Sequence, residues 1–175
     1  MKTGLTVAFA LLSLVSGATW AAEAPSDPQI AAIVVTANQV DIDAGKLAQA
    51  KTHNAQVRDF AQLMVKDHTA VNQSATDLVS RLKVTPEPNP TSESLKEGGD
   101  KNLAALRKES GAAFDKAYVD HEVAYHQAVL DAVDHTLIPS AKNPDLKALL
   151  VKVRPAFVAH LEHAKSLQAS LNKGA

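Results

Sequence analysis

The chain has 175 residues, a formal net charge of −1 and 46% hydrophobic residues, with only 4% aromatic residues. The nearly balanced charge disfavours nucleic acid and anionic membrane surfaces as partners. The sequence contains no cysteine, which excludes disulfides, thiolate metal ligands and thiol catalysis. The fold must therefore be held by its apolar core.

The first residues have the features of an export signal. Lys2 supplies a positive charge, and the apolar run from Leu5 to Val15 is too short to span a bilayer as a helix. Small residues follow, so cleavage near Ala21 or Ala22 is expected and residues 1–22 are predicted to be a signal peptide. Residues 23–175 then form one periplasmic domain without stable membrane insertion, and roughly 150 residues suffice for one substantial core.

Helical periodicity dominates the rest of the chain. Alternating strand patterns are nearly absent, and apolar residues recur at helical spacing. Four long helices are predicted, from about Asp27 to Ala50, from Asn54 to Leu82, from Ser110 to just before Pro139, and from Asn143 to about Leu171.

The segment between the second and third long helices is interpreted as a long cross-connection. It follows the prolines at positions 86, 88 and 90, Thr91 or Ser92 can cap a short helix that runs through Leu106, and Gly98 and Gly99 weaken its middle. The predicted fold is all-α: a four-helix bundle made of two helical hairpins joined by this link.

Two further local features are predicted from the sequence. Asp27, which precedes Pro28, is expected to cap the first helix. Pro155 is expected to kink the fourth helix, because proline removes a backbone donor and its ring clashes with the preceding turn.

One polar residue lies in the apolar stripe of each long helix: Asp41, His68, His126 and His160. Burying such groups is unfavourable unless something satisfies them. Counted from the turns at a rise of ~1.5 Å per residue, the two members of each hairpin lie at similar heights. One layer of the bundle can therefore hold all four, and Glu122 joins them because it precedes His126 by four residues.

These side chains form a borderline ligand set. Imidazoles with carboxylates suit zinc, iron, copper or manganese and suit calcium poorly. The sequence thus predicts one transition-metal ion held by Asp41, His68, Glu122, His126 and His160, in a protein of envelope stress or metal homeostasis. Because neutral imidazole is required, affinity is expected to fall below about pH 6.5.

A structural alternative stays open for the same residues. Buried histidines commonly just hydrogen-bond to a carboxylate or a backbone carbonyl, and such a network could fix the register of the helices without any ion. On that hypothesis the protein is a non-catalytic structural or interaction bundle of the periplasm. The sequence identifies no protein partner.

Other candidate residues rank lower. His53 lies at a turn, His135 near a helix end and His163 toward the edge of its stripe. Asp67 could orient the adjacent His68, but a solvated surface position is the favoured interpretation. No phosphate loop, nucleophile elbow or HExxH motif is present, so no catalytic residue is predicted. Redox turnover at a bound metal stays open.

Four segments surround the candidate ligands and cover nearly the whole chain after the signal: ANQVDIDAGKLA, VRDFAQLMVKDHTAVNQ, GAAFDKAYVDHEVAYHQAVL and RPAFVAHLEHAKSL. Together they resemble a bacterial family of exported, ferritin-like domains of unknown function that are commonly labelled as outer membrane proteins. The resemblance implies a ferritin-like bundle with histidines at positions 68, 126 and 160 and an acidic residue at position 41.

The ferritin-like superfamily can hold a di-iron centre, which uses a Glu from each of two helices and Glu-x-x-His motifs from the other two. This chain departs from that pattern. Glu122 reaches His126 only at the fourth place, Asp41 replaces a longer Glu, and the second helix offers no inward carboxylate. A mononuclear histidine-rich site, or none, fits the residues better than ferroxidase or oxygenase chemistry.

Overall fold

The computed structural model describes residues 24–173, and this part of the chain is all-α, as predicted. Its elements are α1 (Asp27–Lys51), α2 (Ala55–Leu82), α3 (Pro90–Leu106), α4 (Gly111–Ala132), a π-helical segment (Val133–Leu137), α5 (Ile138–Ser140) and α6 (Pro144–Lys173). The expected signal peptide, residues 1–22, lies outside the described residues.

The start of α1 differs from the prediction. Ser26, and not Asp27, is the N-cap: its side chain accepts from the backbone N–H of Gln29, whose side chain accepts in turn from the backbone N–H of Ser26. Asp27 lies in the first turn, where its carboxylate accepts hydrogen bonds from the backbone N–H groups of Lys142 and Asn143. Asp27 thus ties the start of α1 to the start of α6.

The long helices pack as neighbouring pairs. The most extensive contacts join α1 to α2 and α4 to α6, with further contacts between α2 and α6, and α1 and α4 contact each other less than any of these pairs. Gly45 allows the close approach of α1 and α2, since a Cβ atom there would lie 2.9 Å from a Val65 methyl group. The interpretation of residues 90–106 as a link is refined, because this segment forms the 17-residue helix α3, which packs against α1.

The end of the third long helix was predicted incorrectly. The helical chain does not stop before Pro139 but widens into the π-helical segment and continues through Pro139 to Ser140. Asp134 of this segment accepts two hydrogen bonds from the guanidinium of Arg154 in α6. Pro155 lies inside α6, which continues through it.

Two apolar clusters occupy opposite halves of the interior. One includes Ala48, Phe60, Phe114 and Leu167, and the other includes Ile30, Leu78, Leu137 and Leu150. On every long helix the candidate ligands fall between residues of these two clusters. The apolar packing on both sides thus fixes the height at which the polar side chains meet.

Within residues 24–173, no helix combines the length and the apolar character needed to cross a membrane.

Candidate metal centre

The five predicted site residues come together in this middle layer. Asp41 (α1), His68 (α2), Glu122 and His126 (α4) and His160 (α6) are each at most 3% exposed. Two groups have ligand atoms that all lie within 4.8 Å of one another: His68 with His126 and His160, and Asp41 with Glu122 and His126. The two groups share His126 and form one cluster.

Asp41 lies at the centre of the closest contacts. Its Oδ2 atom is 2.7 Å from Nε2 of His68 and 3.4 Å from Nε2 of His126. Neither contact has the full geometry of a hydrogen bond, so these atoms have no hydrogen-bond partner in the protein. The contacts are therefore close approaches of polar atoms that leave both partners unsatisfied.

Each of the three imidazoles has one ring nitrogen in a hydrogen bond to the protein. Nδ1 of His68 lies 2.7 Å from Oδ1 of Asn38, whose amide nitrogen donates to the carbonyl of Val34. Asn38 therefore presents its oxygen to His68, and Nδ1 of His68 is the donor. Nδ1 of His126 donates to the backbone carbonyl of Glu122 at 3.0 Å.

His160 has the opposite orientation. Its Nε2 atom donates to Oδ2 of Asp67 at 3.0 Å, which leaves Nδ1 as the free nitrogen. The three free nitrogens are thus Nε2 of His68, Nε2 of His126 and Nδ1 of His160, and each is buried without a hydrogen-bond partner in the protein. In the neutral imidazoles all three carry lone pairs.

Burial and neighbouring charges shift the pKa values of the imidazoles and of Asp41 in this layer. Burial lowers the pKa of His126 to about 4 despite the attraction of Asp41, and burial also lowers the pKa of His160. Burial alone would raise the pKa of Asp41, but the nearby imidazoles of His68 and His126 bring it below its ordinary value. His126 and His160 are therefore neutral, ligand-competent imidazoles at neutral pH, next to an ionised Asp41.

Glu122 has the opposite character. Burial and the adjacent Asp41 hold the pKa of Glu122 well above its ordinary value. Both of its carboxyl oxygens, and the hydroxyl of Tyr118 one turn earlier, are buried without a hydrogen-bond partner in the protein. A cation in the layer would favour the ionised form of Glu122, which would then serve as a second carboxylate.

The donor set and its dimensions fit a transition-metal ion. Ligand atoms at about 2.0–2.2 Å from one ion lie about 2.8–3.6 Å from each other, close to the two distances around Asp41. Histidine ligands of metals usually donate their second N–H to a carboxylate or a carbonyl, as these three imidazoles donate to Asn38, Glu122 and Asp67. Asp41, His68, His126 and His160 could hold the ion, with Glu122 as a further ligand.

Two neighbours of the imidazoles differ from the expectations: Asp67 is neither merely solvated nor a partner of His68, and Asn38 was not foreseen. Asp67 pairs with His160 on α6, and not with the adjacent His68, because residues i and i+1 point to different sides of a helix. Asn38 was missed, although its position three residues before Asp41 in the same apolar stripe was a usable signal. Tyr118 was also missed, because its position in the apolar stripe is typical of an ordinary core aromatic residue.

The lower-ranked histidines lie outside the cluster. His53 and His163 are exposed, and the ring of His163 packs edge-on against Phe60. His135 is exposed and pairs with Asp131 one turn earlier.

Taken with the fold, this geometry defines an all-α protein with a buried histidine and carboxylate cluster suited to a metal. The chain belongs to the family described as "Domain of unknown function (DUF4142)", whose model matches residues 15–167. The predicted membership in a family of unknown function is thereby confirmed. No curated protein matches the sequence.

A solved structure with a similar fold is described as "CopM in the Cu(II)-bound form". The two chains are 13% identical and superpose with a TM-score of 0.64, over 85% of this chain and 99% of that chain. At this identity the likeness concerns the fold.

Proposed function

We propose that this protein is an exported, ferritin-like four-helix bundle that binds one transition-metal ion through Asp41, His68, His126 and His160, and serves metal homeostasis or envelope stress. Glu122 is a further ligand once it loses its proton. The observation that carries the proposal is the set of three free imidazole nitrogens, from three helices, that lie within 4.8 Å of one another, two of them against the buried carboxylate of Asp41.

The contact between His68 and Asp41 gives the physical argument. Asn38 places the single proton of neutral His68 on Nδ1, so Nε2 carries a lone pair and lies 2.7 Å from a carboxylate oxygen. Two electron-rich atoms repel each other at that distance in a buried layer. A cation bound to both atoms turns the repulsion into attraction, and a metal ion satisfies the other free nitrogens at the same time.

Copper(II) is the ion we expect to bind most tightly. Imidazole and carboxylate sites generally follow the order in which copper(II) exceeds zinc, iron(II) and manganese(II). The Cu(II)-bound form of a protein with a similar fold is consistent with this order. The chain offers no thiolate, so we expect copper(I) to be held less well.

A titration of metal-free protein, prepared without an affinity tag, tests the proposal. Calorimetry with copper(II), zinc, iron(II) and manganese(II) should give one ion per chain, and His160→Asn should weaken binding about 100-fold. The matched control is His163→Asn, which removes an exposed histidine from the same helix and should leave affinity unchanged. Equal losses of metal affinity in both variants, or the absence of stoichiometric metal binding to the wild type, would contradict the proposal.

A structural role is the second candidate function. Each of the three imidazoles already has one hydrogen bond to the protein, and a proton shared between His68 and Asp41 would satisfy their contact without any ion. In that case His160→Leu should be neutral or stabilising in metal-free protein, and added metal should not raise the unfolding temperature of the wild type. A rise in unfolding temperature with metal, absent from His160→Leu, favours the metal site.

A further inference from the structure

A large cleft lies along the seam between α1 and α4, two neighbouring helices with few contacts to each other. The cleft is partly open to solvent and has a volume of about 1020 Å³. We call it the α1–α4 cleft, and it is lined chiefly by Ile33, Val34, Val129, Val133, Leu150 and Phe157.

Two irregularities of the helices border this cleft. The π-helical segment contributes Val133 and Leu137 to its wall, and Pro155 lies between the lining residues Val153 and Phe157 of α6. π-helical segments are rare and are frequently found at functional sites. The pair formed by Asp134 and Arg154 joins these two irregular segments. The ion pair therefore holds the π-helical segment and the Pro155 region of α6 together at the border of the cleft.

The cleft has an outer and an inner end of different character. Ser26, His135 and Thr136 are exposed and mark its mouth, whereas the inner end reaches the buried side chains of His68 and Phe157. The rings of His68 and Phe157 are nearly parallel, at 5° and 5.2 Å between centroids, and give the inner end an aromatic floor. The floor is the back of the candidate metal centre.

The charge of the lining decides the chemistry of the occupant. Among the described residues that line the cleft, none is Asp, Glu, Lys or Arg. A charged ligand that entered the inner end would lose much of its hydration without gaining an Asp, Glu, Lys or Arg partner, which is unfavourable. An apolar ligand of suitable size would instead remove apolar surface from water on both sides.

We infer that the α1–α4 cleft is a binding site for a neutral, apolar small molecule that contacts the aromatic floor formed by His68 and Phe157. Of the proposed metal ligands only His68 reaches the cleft, through the face of its ring, whereas Asp41, His126 and His160 do not line it. Ligand binding is expected in metal-free protein, so its test is independent of the proposed metal site.

Two fluorescent probes that share one ring system test the inference: neutral N-phenyl-1-naphthylamine and its sulfonated anion, 1-anilinonaphthalene-8-sulfonate. With metal-free protein we expect saturable binding of one neutral probe per chain and at least about tenfold weaker binding of the anion. Ala132→Phe, which fills the cleft from the α4 side, should weaken binding of the neutral probe at least about tenfold.

The control is Ala169→Phe, which places the same ring on an exposed part of α6 and should leave binding unchanged. Circular dichroism checks folding, and Ala37→Phe blocks the opposite wall of the cleft if Ala132→Phe does not fold. Absence of saturable binding, equal affinity for the anion, or full binding by a folded variant with a blocked cleft would overturn the inference. The probe experiment uses metal-free protein, so absence of probe binding would not decide the metal titration. Absence of metal binding would likewise not decide the probe experiment.

Discussion

Nε2 of His68 and Oδ2 of Asp41 lie 2.7 Å apart in a layer where both side chains are at most 3% exposed. Because Asn38 holds the proton of neutral His68 on Nδ1, a positive charge between the two atoms would stabilise this contact. Either a proton shared by the two side chains or a metal ion supplies such a charge, and the two cases make different predictions.

Asp41→Asn tests the role of the central carboxylate. The substitution keeps the shape of the side chain but removes its charge, so we expect metal affinity to fall about 100-fold, or about 3 kcal/mol. Asp43→Asn makes the same change two residues later, outside the cluster, and should keep the wild-type affinity. Calorimetric titrations of both variants check this, and an unchanged affinity in Asp41→Asn would exclude the carboxylate as a ligand.

The sequence predicted the helices well because their apolar periodicity is long and regular. It also predicted the layer, since Asp41, His68, His126 and His160 interrupt four apolar stripes at matching heights. The π-helical segment could not be predicted, because it depends on packing against α6 and on the partner Arg154. The imidazole orientations likewise depend on tertiary contacts, such as the one between His160 and Asp67.

Asn38→Leu tests how the orientation of His68 is maintained. The variant removes the acceptor for Nδ1, so the neutral ring is expected to exchange its proton between Nδ1 and Nε2. Loss of such an outer partner typically lowers metal affinity about 10- to 100-fold. Nitrogen NMR of the metal-free protein should show one tautomer of His68 in the wild type and a mixture in the variant. Asn38→Asp retains an acceptor and should restore the single tautomer.

The stability of the metal-free protein should depend on the protonation of His126. The pKa of His126 is lowered to about 4 because burial disfavours the imidazolium, whereas the unfolded chain protonates near 6.5. Between these values the unfolded state binds more protons, so the contribution of His126 to stability is complete above pH 6.5 and is lost as the pH falls to 4. The loss amounts to about 3 kcal/mol.

Denaturant unfolding of wild type and His126→Asn across this pH range measures the effect. The asparagine amide can still donate to the carbonyl of Glu122, and it does not titrate. The wild type should therefore lose stability relative to the variant as the pH falls from 6.5 to 4. A constant difference between the two proteins would show that His126 is not held neutral.

The docking of α3 on α1 depends on Gly99. A Cβ atom at this position would lie 2.7 Å from a methyl group of Val40, so Gly99→Ala should destabilise the protein by about 1–3 kcal/mol. At Gly98 no atom lies within 4 Å of such a Cβ, and Gly98→Ala should stabilise the helix by up to about 1 kcal/mol. Thermal unfolding of the two variants measures whether each substitution raises or lowers the stability. A stabilising Gly99→Ala would contradict the close packing against Val40.

The most direct measurement of the central claim is X-ray absorption at the metal edge of protein loaded with one copper(II) or zinc ion per chain. The arrangement predicts three imidazole ligands together with carboxylate oxygen, and His160→Asn should remove one imidazole from the spectrum. A spectrum with fewer than two imidazoles, or one that changes with His163→Asn in place of His160→Asn, would show that the ion binds elsewhere and that the buried layer is only structural.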